Sequence, residues 1–325
     1  MCTAITYKTK DHYFGRNLDL EYSYNETITI IPRNFPFKFR YTFPISNQLY
    51  AMIGMATVAD NYPLFYEATN EKGLSMAGLN FPENADYKPY KPGKDNVTPF
   101  EFIPWVLGQC DTIKEVKKLL DNINLLEENF SEEFPLSPLH WIISDRDSSI
   151  VVESVKDGLK VYDNTIGVLT NNPTFDYQIF NLNNYMHISP EEPTNSFSKD
   201  LDLITYSRGM GAMGLPGDLS SMSRFVKASF TKLNSRSGES ESESISQFFH
   251  ILASVAQQRG CVHAEDDKYE MTLYTSCCNT DKGIYYYTTY ENSQITAVDM
   301  HKEDIDSDGI IVYPLITGQQ IKRQN

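Results

Sequence analysis

The sequence predicts an α+β protein in which helices pack on mainly antiparallel sheets. Strand-rich blocks alternate with helix-rich blocks, and the first and last blocks are strands. The middle third carries short strands joined by turn residues, as in a β-meander. No repeat period and no composition-marked linker divides the 325 residues. A single domain over 1–325 follows, with two stacked sheets between helical layers and a core large enough to need no staples.

In chain order, residues 2–8 and 12–18 form a hairpin with Thr9, Lys10 and Asp11 at the turn. A turn centred on Lys10-Asp11 makes paired positions sum to about 21. Cys2 then lies opposite Asp19, with Arg16 nearby; a slip of one residue keeps both within diagonal reach. Strands follow at 27–31 and 51–55, and a hairpin at 66–80 turns at Asn70-Glu71-Lys72-Gly73. Segment 99–109 reads as an apolar helix. Segment 111–126 is amphipathic, with Ile113, Val116, Leu119 and Leu120 at helical spacing and Asp111 or Thr112 as cap. The meander strands are 139–144, 150–154, 159–163 and 167–170. Helices return at 174–184, at 221–233 behind a Ser220 cap, and at 244–259. Strands at 271–278, 283–290 and 294–300 close the chain, and the acidic Ser-Glu run at 238–244 is a solvated loop and helix start.

Composition removes several function classes. With 43 acidic against 28 basic residues, the net charge is −15, which argues against nucleic acid and anionic membrane surfaces. No stretch approaches the ~18 apolar residues of a membrane span, and the first twenty residues lack the apolar core of a signal peptide. Five cysteines without framework spacing fit a reduced, cytosolic protein. Six scattered histidines give no metal-ligand pairing, so no metal is expected.

Two motifs are decoys. Gly209-Met210-Gly211-Ala212-Met213-Gly214 has the dinucleotide spacing, but Pro216 and Gly217 follow at once, so it reads as a glycine-rich loop. Cys277 and Cys278 are adjacent on a strand and face opposite sides, which suits two packed thiols rather than a metal site.

The chemistry-bearing position is Cys2. Met1 in front of a small residue is open to aminopeptidase trimming, which leaves Cys2 N-terminal in a mature chain of 2–325. One residue then carries a thiol and an α-amine, with ordinary pKa values near ~8.5 and ~7.7–8.0, so proton transfer between them is cheap near neutrality. By its position alone the cysteine reads as an ordinary small residue in a first strand, since many chains begin this way by chance. The hairpin adds Arg16, which can favour the thiolate, and Asp19, which can accept from the amine; either alone reads as a surface ion pair.

These residues resemble the start of the choloylglycine hydrolases, the bile salt hydrolases and penicillin V acylases of the N-terminal-nucleophile superfamily. The matching blocks are Met1-Cys2-Thr3, then Phe14-Gly15-Arg16-Asn17-Leu18-Asp19, then Asn70-Glu71-Lys72-Gly73-Leu74 running to Ala77-Gly78-Leu79-Asn80. Further on they are 167–175, 214–218 leading to Ser223-Arg224-Phe225, and 274–278 with 283–290. The blocks stand in family order over nearly the whole chain and look most like gut-bacterial bile salt hydrolases. The resemblance implies a four-layer αββα sandwich, a homotetramer, a bacterial cytoplasmic location, and no metal or organic cofactor. It implies Cys2 as nucleophile and base, Arg16 beside the thiol, Asp19 orienting the amine, and Asn171 as side-chain oxyanion donor. It further implies Asn80 as the second oxyanion donor, through its backbone, and Arg224 completing the charge network. Asparagine at position 80 goes with bile salt hydrolases, where penicillin V acylases commonly carry tyrosine.

The expected reaction is cleavage of the amide joining a bile acid to glycine or taurine, through a cysteine thioester. A steroid needs an apolar wall, for which Leu20, Tyr24, Ala59, Phe65, Phe130 and Leu136 are the candidates, with core or subunit contact as the competing role. A penicillin V acylase or related N-acyl amidase is the nearest alternative. A non-catalytic binding protein is the alternative from another class.

Overall fold

The computed structural model describes residues 1–43 and 48–325. The chain opens with β1 (Cys2–Lys8), β2 (His12–Leu20), β3 (Thr27–Ile31), β4 (Met52–Ala59), β5 (Tyr62–Asn70) and β6 (Ser75–Asn80). Then come β7 (Asp95–Val97), α1 (Phe102–Leu107), α2 (Ile113–Leu120) and β8 (Ile123–Leu125). The meander is β9 (Leu139–Ser144), β10 (Ser149–Val155), β11 (Gly158–Asp163) and β12 (Val168–Leu169). Helices α3 (Phe175–Asn181), α4 (Ser221–Asn234) and α5 (Glu241–Ala253) precede β13 (Met271–Asn279), β14 (Ile284–Thr289), β15 (Asn292–Asp299) and β16 (Ile311–Pro314).

Among the described residues two antiparallel sheets dominate. The first runs β12-β1-β2-β13-β14-β15 and the second β11-β10-β9-β6-β5-β4-β3-β16. One apolar cluster fills the space between the sheets and continues under α4 and α5 through Phe225, Phe248 and Leu252. A second joins the outer face of the second sheet to α1 and α2 through Met76, Phe102, Val106 and Trp141. The layering is therefore αββα, the expected α+β sandwich. Because β1 and β2 are covered on both faces, their residues are buried without alternation, polar Arg16, Asn17 and Asp19 included.

Several boundaries differ from the expectations above. The first hairpin pairs Cys2 with Leu18 and Lys8 with His12, so positions sum to 20 rather than 21. Three residues, not two, make its turn, held by Thr9 N–H donating to Asp11 O at 2.9 Å. The helix expected to reach 126 stops at Leu120, and Ile123–Leu125 pairs in parallel with β7. Helix α5 begins earlier than expected, because Ser240 and Glu243 form a reciprocal capping box, and it ends at Ala253 instead of 259. The strand β16, closing the edge of the second sheet beside β3, had no expectation behind it.

Candidate active site

The register of the first hairpin distributes the chemistry. Directly paired residues share a face, so Cys2, Arg16, Leu18 and Leu20 look between the sheets, while Thr3, Asn17 and Asp19 look toward the helices. The one-residue difference in register thus sets the thiol and the Asp19 carboxylate on opposite sides of the strand.

The inner face opens into a cavity of about 330 Å³, within the size range of small-molecule sites. Cys2, Arg16, Gly78 and Asn80 line it together with Leu18, Leu20, Tyr24, Leu64, Phe65, Tyr66, Phe100, Ile103, Phe130, Phe134 and Leu136. Of the six residues named for an apolar wall, Leu20, Tyr24, Phe65, Phe130 and Leu136 are there and Ala59 is not. Strand β4 reaches the cavity through Thr57; Ala59 lies two residues further out, roughly 7 Å along the strand, opposite Tyr62 at the hairpin end. The contributions of Thr57, Pro99, Phe100 and Ile103 went unforeseen, since nothing in their local pattern separates a cavity wall from core.

Arg16 is held where β5 and β6 part. Their ladder ends at Glu67–Ala77, and the guanidinium occupies the next rung, donating from Nη1 to Gly78 O at 2.6 Å and Tyr66 O at 3.3 Å. Beneath it lies Glu67, fully buried, with Oε2 3.9 Å from Arg16 Nε. Tyr274 and Ser276 donate to this carboxylate at 2.8 and 2.9 Å, and Tyr285 at 2.5 Å. Burial pushes the Glu67 carboxyl above its ordinary value, against the pull of Arg16 and the three hydroxyls. Burial works to lower the Arg16 guanidinium, but Cys2, Tyr274, Glu67 and Asp19 together raise it. Glu67 escaped the sequence reading, because its three hydroxyl partners come from strands about two hundred residues away.

On the helix-facing side, Arg224 projects from α4, near its Ser220-capped start. Its guanidinium donates to Cys2 O at 2.6 Å, Thr3 Oγ1 at 2.7 Å, Asn171 Oδ1 at 2.8 Å and Leu219 O at 3.0 Å. Burial lowers its pKa, offset in part by Asp19 and Cys2. Asp19 Oδ2 lies 4.0 Å from Arg224 Nη1 and has no hydrogen-bond partner, whereas Oδ1 accepts from Thr272 Oγ1 at 2.6 Å. Burial raises the Asp19 carboxyl, against the pull of Arg224 and the chain's N-terminal ammonium.

Asn171 joins the two sides. Its Oδ1 accepts from Cys2 N–H at 2.8 Å, and its Nδ2 donates to Asn80 O at 2.7 Å, so the surrounding groups fix the amide's orientation. One Nδ2 hydrogen is thereby used and the second is left over. Asn80 pairs with Leu139, while the next residue, Phe81, donates to Pro138 O at 2.7 Å. Strict alternation then turns the Asn80 N–H and C=O away from β9, toward the gap that Arg16 bridges. The other five residues singled out at the sequence level, Arg16, Asp19, Asn80, Asn171 and Arg224, therefore gather around Cys2.

Met1 occupies the far side of that cysteine. Its amine donates to Asp19 O at 2.7 Å and pairs with Glu270, and burial lowers its pKa. Its carbonyl accepts from Asp19 N–H at 3.0 Å, extending the β-ladder by one residue. In this form Cys2 N is an amide, able to donate but not to take a proton.

Comparison with known proteins places the chain by similarity along its length. Residues 2–313 match the family model of linear amide C–N hydrolases of the choloylglycine hydrolase family. A bile salt hydrolase/transferase of Lactiplantibacillus plantarum is 59% identical over 315 residues, 97% of each chain. The crystal structure of a mutant conjugated bile acid hydrolase from Clostridium perfringens superposes over 100% of both chains, with a TM-score of 0.90 and 42% identity. Penicillin V acylase from Agrobacterium tumefaciens shares the fold, with a TM-score of 0.75 at 19% identity over 97% of this chain and 92% of its own.

Proposed function

The chain belongs to the choloylglycine hydrolase family of linear amide C–N hydrolases, and from that premise we propose that it hydrolyses bile acids conjugated to glycine or taurine. The carrying observation is the register of β1 and β2, which opens Cys2 and Arg16 onto an apolar cavity while keeping Asp19 behind the same strand.

Loss of Met1 turns Cys2 N into an amine, and the mature unit is 2–325. The amine keeps Asn171 Oδ1 as acceptor and gains Asp19 Oδ2, the carboxylate oxygen that otherwise lacks a partner. It takes the thiol proton, with Arg16 favouring the thiolate. Sulfur bonds to the amide carbon, and the carbonyl π electrons move to oxygen. The second Nδ2 hydrogen of Asn171 and the backbone N–H of Asn80 stabilise this oxyanion. The C–N bond breaks as the Cys2 ammonium returns its proton to the departing nitrogen. Water, deprotonated by the same amine, then cleaves the thioester and frees the acid and the thiol. The steroid rests against Leu20, Phe65, Phe130 and Leu136, and asparagine at position 80 favours bile salts over penicillin V.

The exposed apolar side chains of Phe180, Met186, Phe197, Ile204 and Tyr206 support a homotetramer in which this region is covered. No described helix is long and apolar enough to cross a membrane, and a cytoplasmic location is proposed with the rest. The test is a panel of glycocholate, taurocholate and penicillin V, run beside intact-mass analysis of the N-terminus. Turnover of the bile salts by protein lacking Met1 is expected, with none after a lysine is inserted between Met1 and Cys2 to prevent trimming. Rapid penicillin V turnover with inert bile salts sinks the proposal.

A further inference from the structure

Behind the two oxyanion donors lies a buried pair with no place in the mechanism above. His140, on β9, and Glu153, on β10, are both fully buried. His140 Nδ1 is 3.0 Å from Glu153 Oε1, and Nε2 is 2.9 Å from Thr170 O. Glu153 Oε1 also accepts from Phe175 N–H at 3.0 Å, and Oε2 has no partner. The ring stacks on Phe81, with centroids 4.1 Å apart and planes 7° from parallel. Phe81 follows Asn80 in the chain, and Thr170 precedes Asn171.

We propose that His140 and Glu153 are positioning residues that hold Asn80 and Asn171 at the spacing the oxyanion requires. The inference rests on the oxyanion roles proposed above. The imidazole fixes both donors at once, through ring stacking beside Asn80 and a hydrogen bond to the carbonyl before Asn171. Glu153 adds a second anchor by holding the Phe175 N–H at the far end of the 171–174 segment. Gln178 closes the clasp, donating toward Asn171 O at 3.3 Å and Asn172 O at 3.1 Å.

The hydrogen bonds prescribe where the protons sit. Thr170 O can only accept, so Nε2 carries a hydrogen. Nδ1 faces a carboxyl oxygen, and one proton lies between them, on either the ring or the carboxyl. A glutamine at 153 breaks this arrangement. Its amide oxygen would require Nδ1–H and leave a neutral ring without Nε2–H, and its amide nitrogen would oppose the Phe175 N–H.

The experiment compares wild type and Glu153→Gln for glycocholate turnover, Cys2 alkylation by iodoacetamide and thermal melting. We expect kcat to fall about 10- to 100-fold, below the full loss of an oxyanion donor because displacement is partial. KM should stay within about twofold, since the steroid wall is not touched, and Cys2 alkylation should slow by much less than kcat falls, since Asn171 reaches the nucleophile only through its bond to Cys2 N. A folded variant with wild-type kcat overturns the inference, as does a KM that rises in step with the fall in kcat. If Glu153→Gln does not fold, Phe81→Leu removes the stacking surface while staying apolar. A several-fold drop in kcat at constant KM is expected there, and unchanged kcat refutes the proposal. A ¹⁵N-histidine spectrum of the wild type gives a readout free of the catalytic reading. A protected Nε2–H on His140 is required, and its absence refutes the pair even in an active enzyme. Wild type inert toward bile conjugates, with that proton present, would instead count against the function proposed above.

Discussion

Replacing Asp19 by asparagine preserves shape and removes one buried charge. Oδ2 lies 4.0 Å from Arg224 Nη1, and both side chains are almost wholly buried. At that distance and an effective dielectric near 20, the attraction is about 4 kcal/mol, an upper bound on what the substitution removes. Burial works against it, since it raises the Asp19 carboxyl above its ordinary value. Losing the carboxylate leaves Arg224 buried among neutral acceptors, the situation in which a broken internal ion pair costs about 3–5 kcal/mol. A stability loss of roughly 3 kcal/mol is expected, measured by urea denaturation. Under the proposed mechanism catalysis suffers separately, because the Cys2 amine loses the acceptor that orients it, and kcat/KM for glycocholate should fall at least about 10-fold and at most about 10²–10⁴-fold, the usual worth of the base itself. The assay is glycine release by protein verified as folded by circular dichroism. A folded Asp19→Asn variant within fivefold of wild type, and within about 0.5 kcal/mol in stability, would refute the reasoning.

Two further outcomes follow from the same geometry. Arg40 lies over Phe100 at 4.7 Å and Phe130 at 5.8 Å and donates to Asn129 O at 2.7 Å and Phe130 O at 2.6 Å, which pins the wall segment carrying Phe130. Arg40→Ala should raise KM for conjugated bile acids roughly 5- to 30-fold, about 1–2 kcal/mol of lost order, with little change in kcat; steady-state kinetics checks this. His12 is buried against Thr280 and Ser144, and desolvation lowers its pKa from 6.5 to about 4. The native state thus binds fewer protons than the unfolded chain between those values. Its contribution is complete above pH 6.5 and lost as pH falls toward 4, about 3 kcal/mol over that window. Urea midpoints against pH should show that loss in wild type and a flatter curve in His12→Gln.

Local physics was legible wherever it reached a short way along the chain. Ser220 capping α4, the apolar stripe of α2, the turn after Asn70 and the meander of β9 to β11 all follow from neighbours within a few residues. The same range explains the misses. The break after Leu120 depends on pairing with β7, and β16 on finding the open edge of β3; the early start of α5 is the exception, a capping box between Ser240 and Glu243 that lies within local range.

By itself the sequence determined that the cysteine at position 2 shares a hairpin with Arg16 and Asp19, because a short turn leaves paired positions little choice. It also determined, through the ordered blocks of a family resemblance, that Asn80, Asn171 and Arg224 belong with them. Only the tertiary structure decided that the thiol and the Asp19 carboxylate look to opposite sides of β1 and β2, since one residue in the turn reverses every side chain. It alone decided that β5 and β6 part after Glu67–Ala77, that Arg16 bridges the gap, and that Phe100 and Ile103 join the wall. Those features arise where two sheets and their helices meet, and burial between distant segments leaves no periodicity in any one of them.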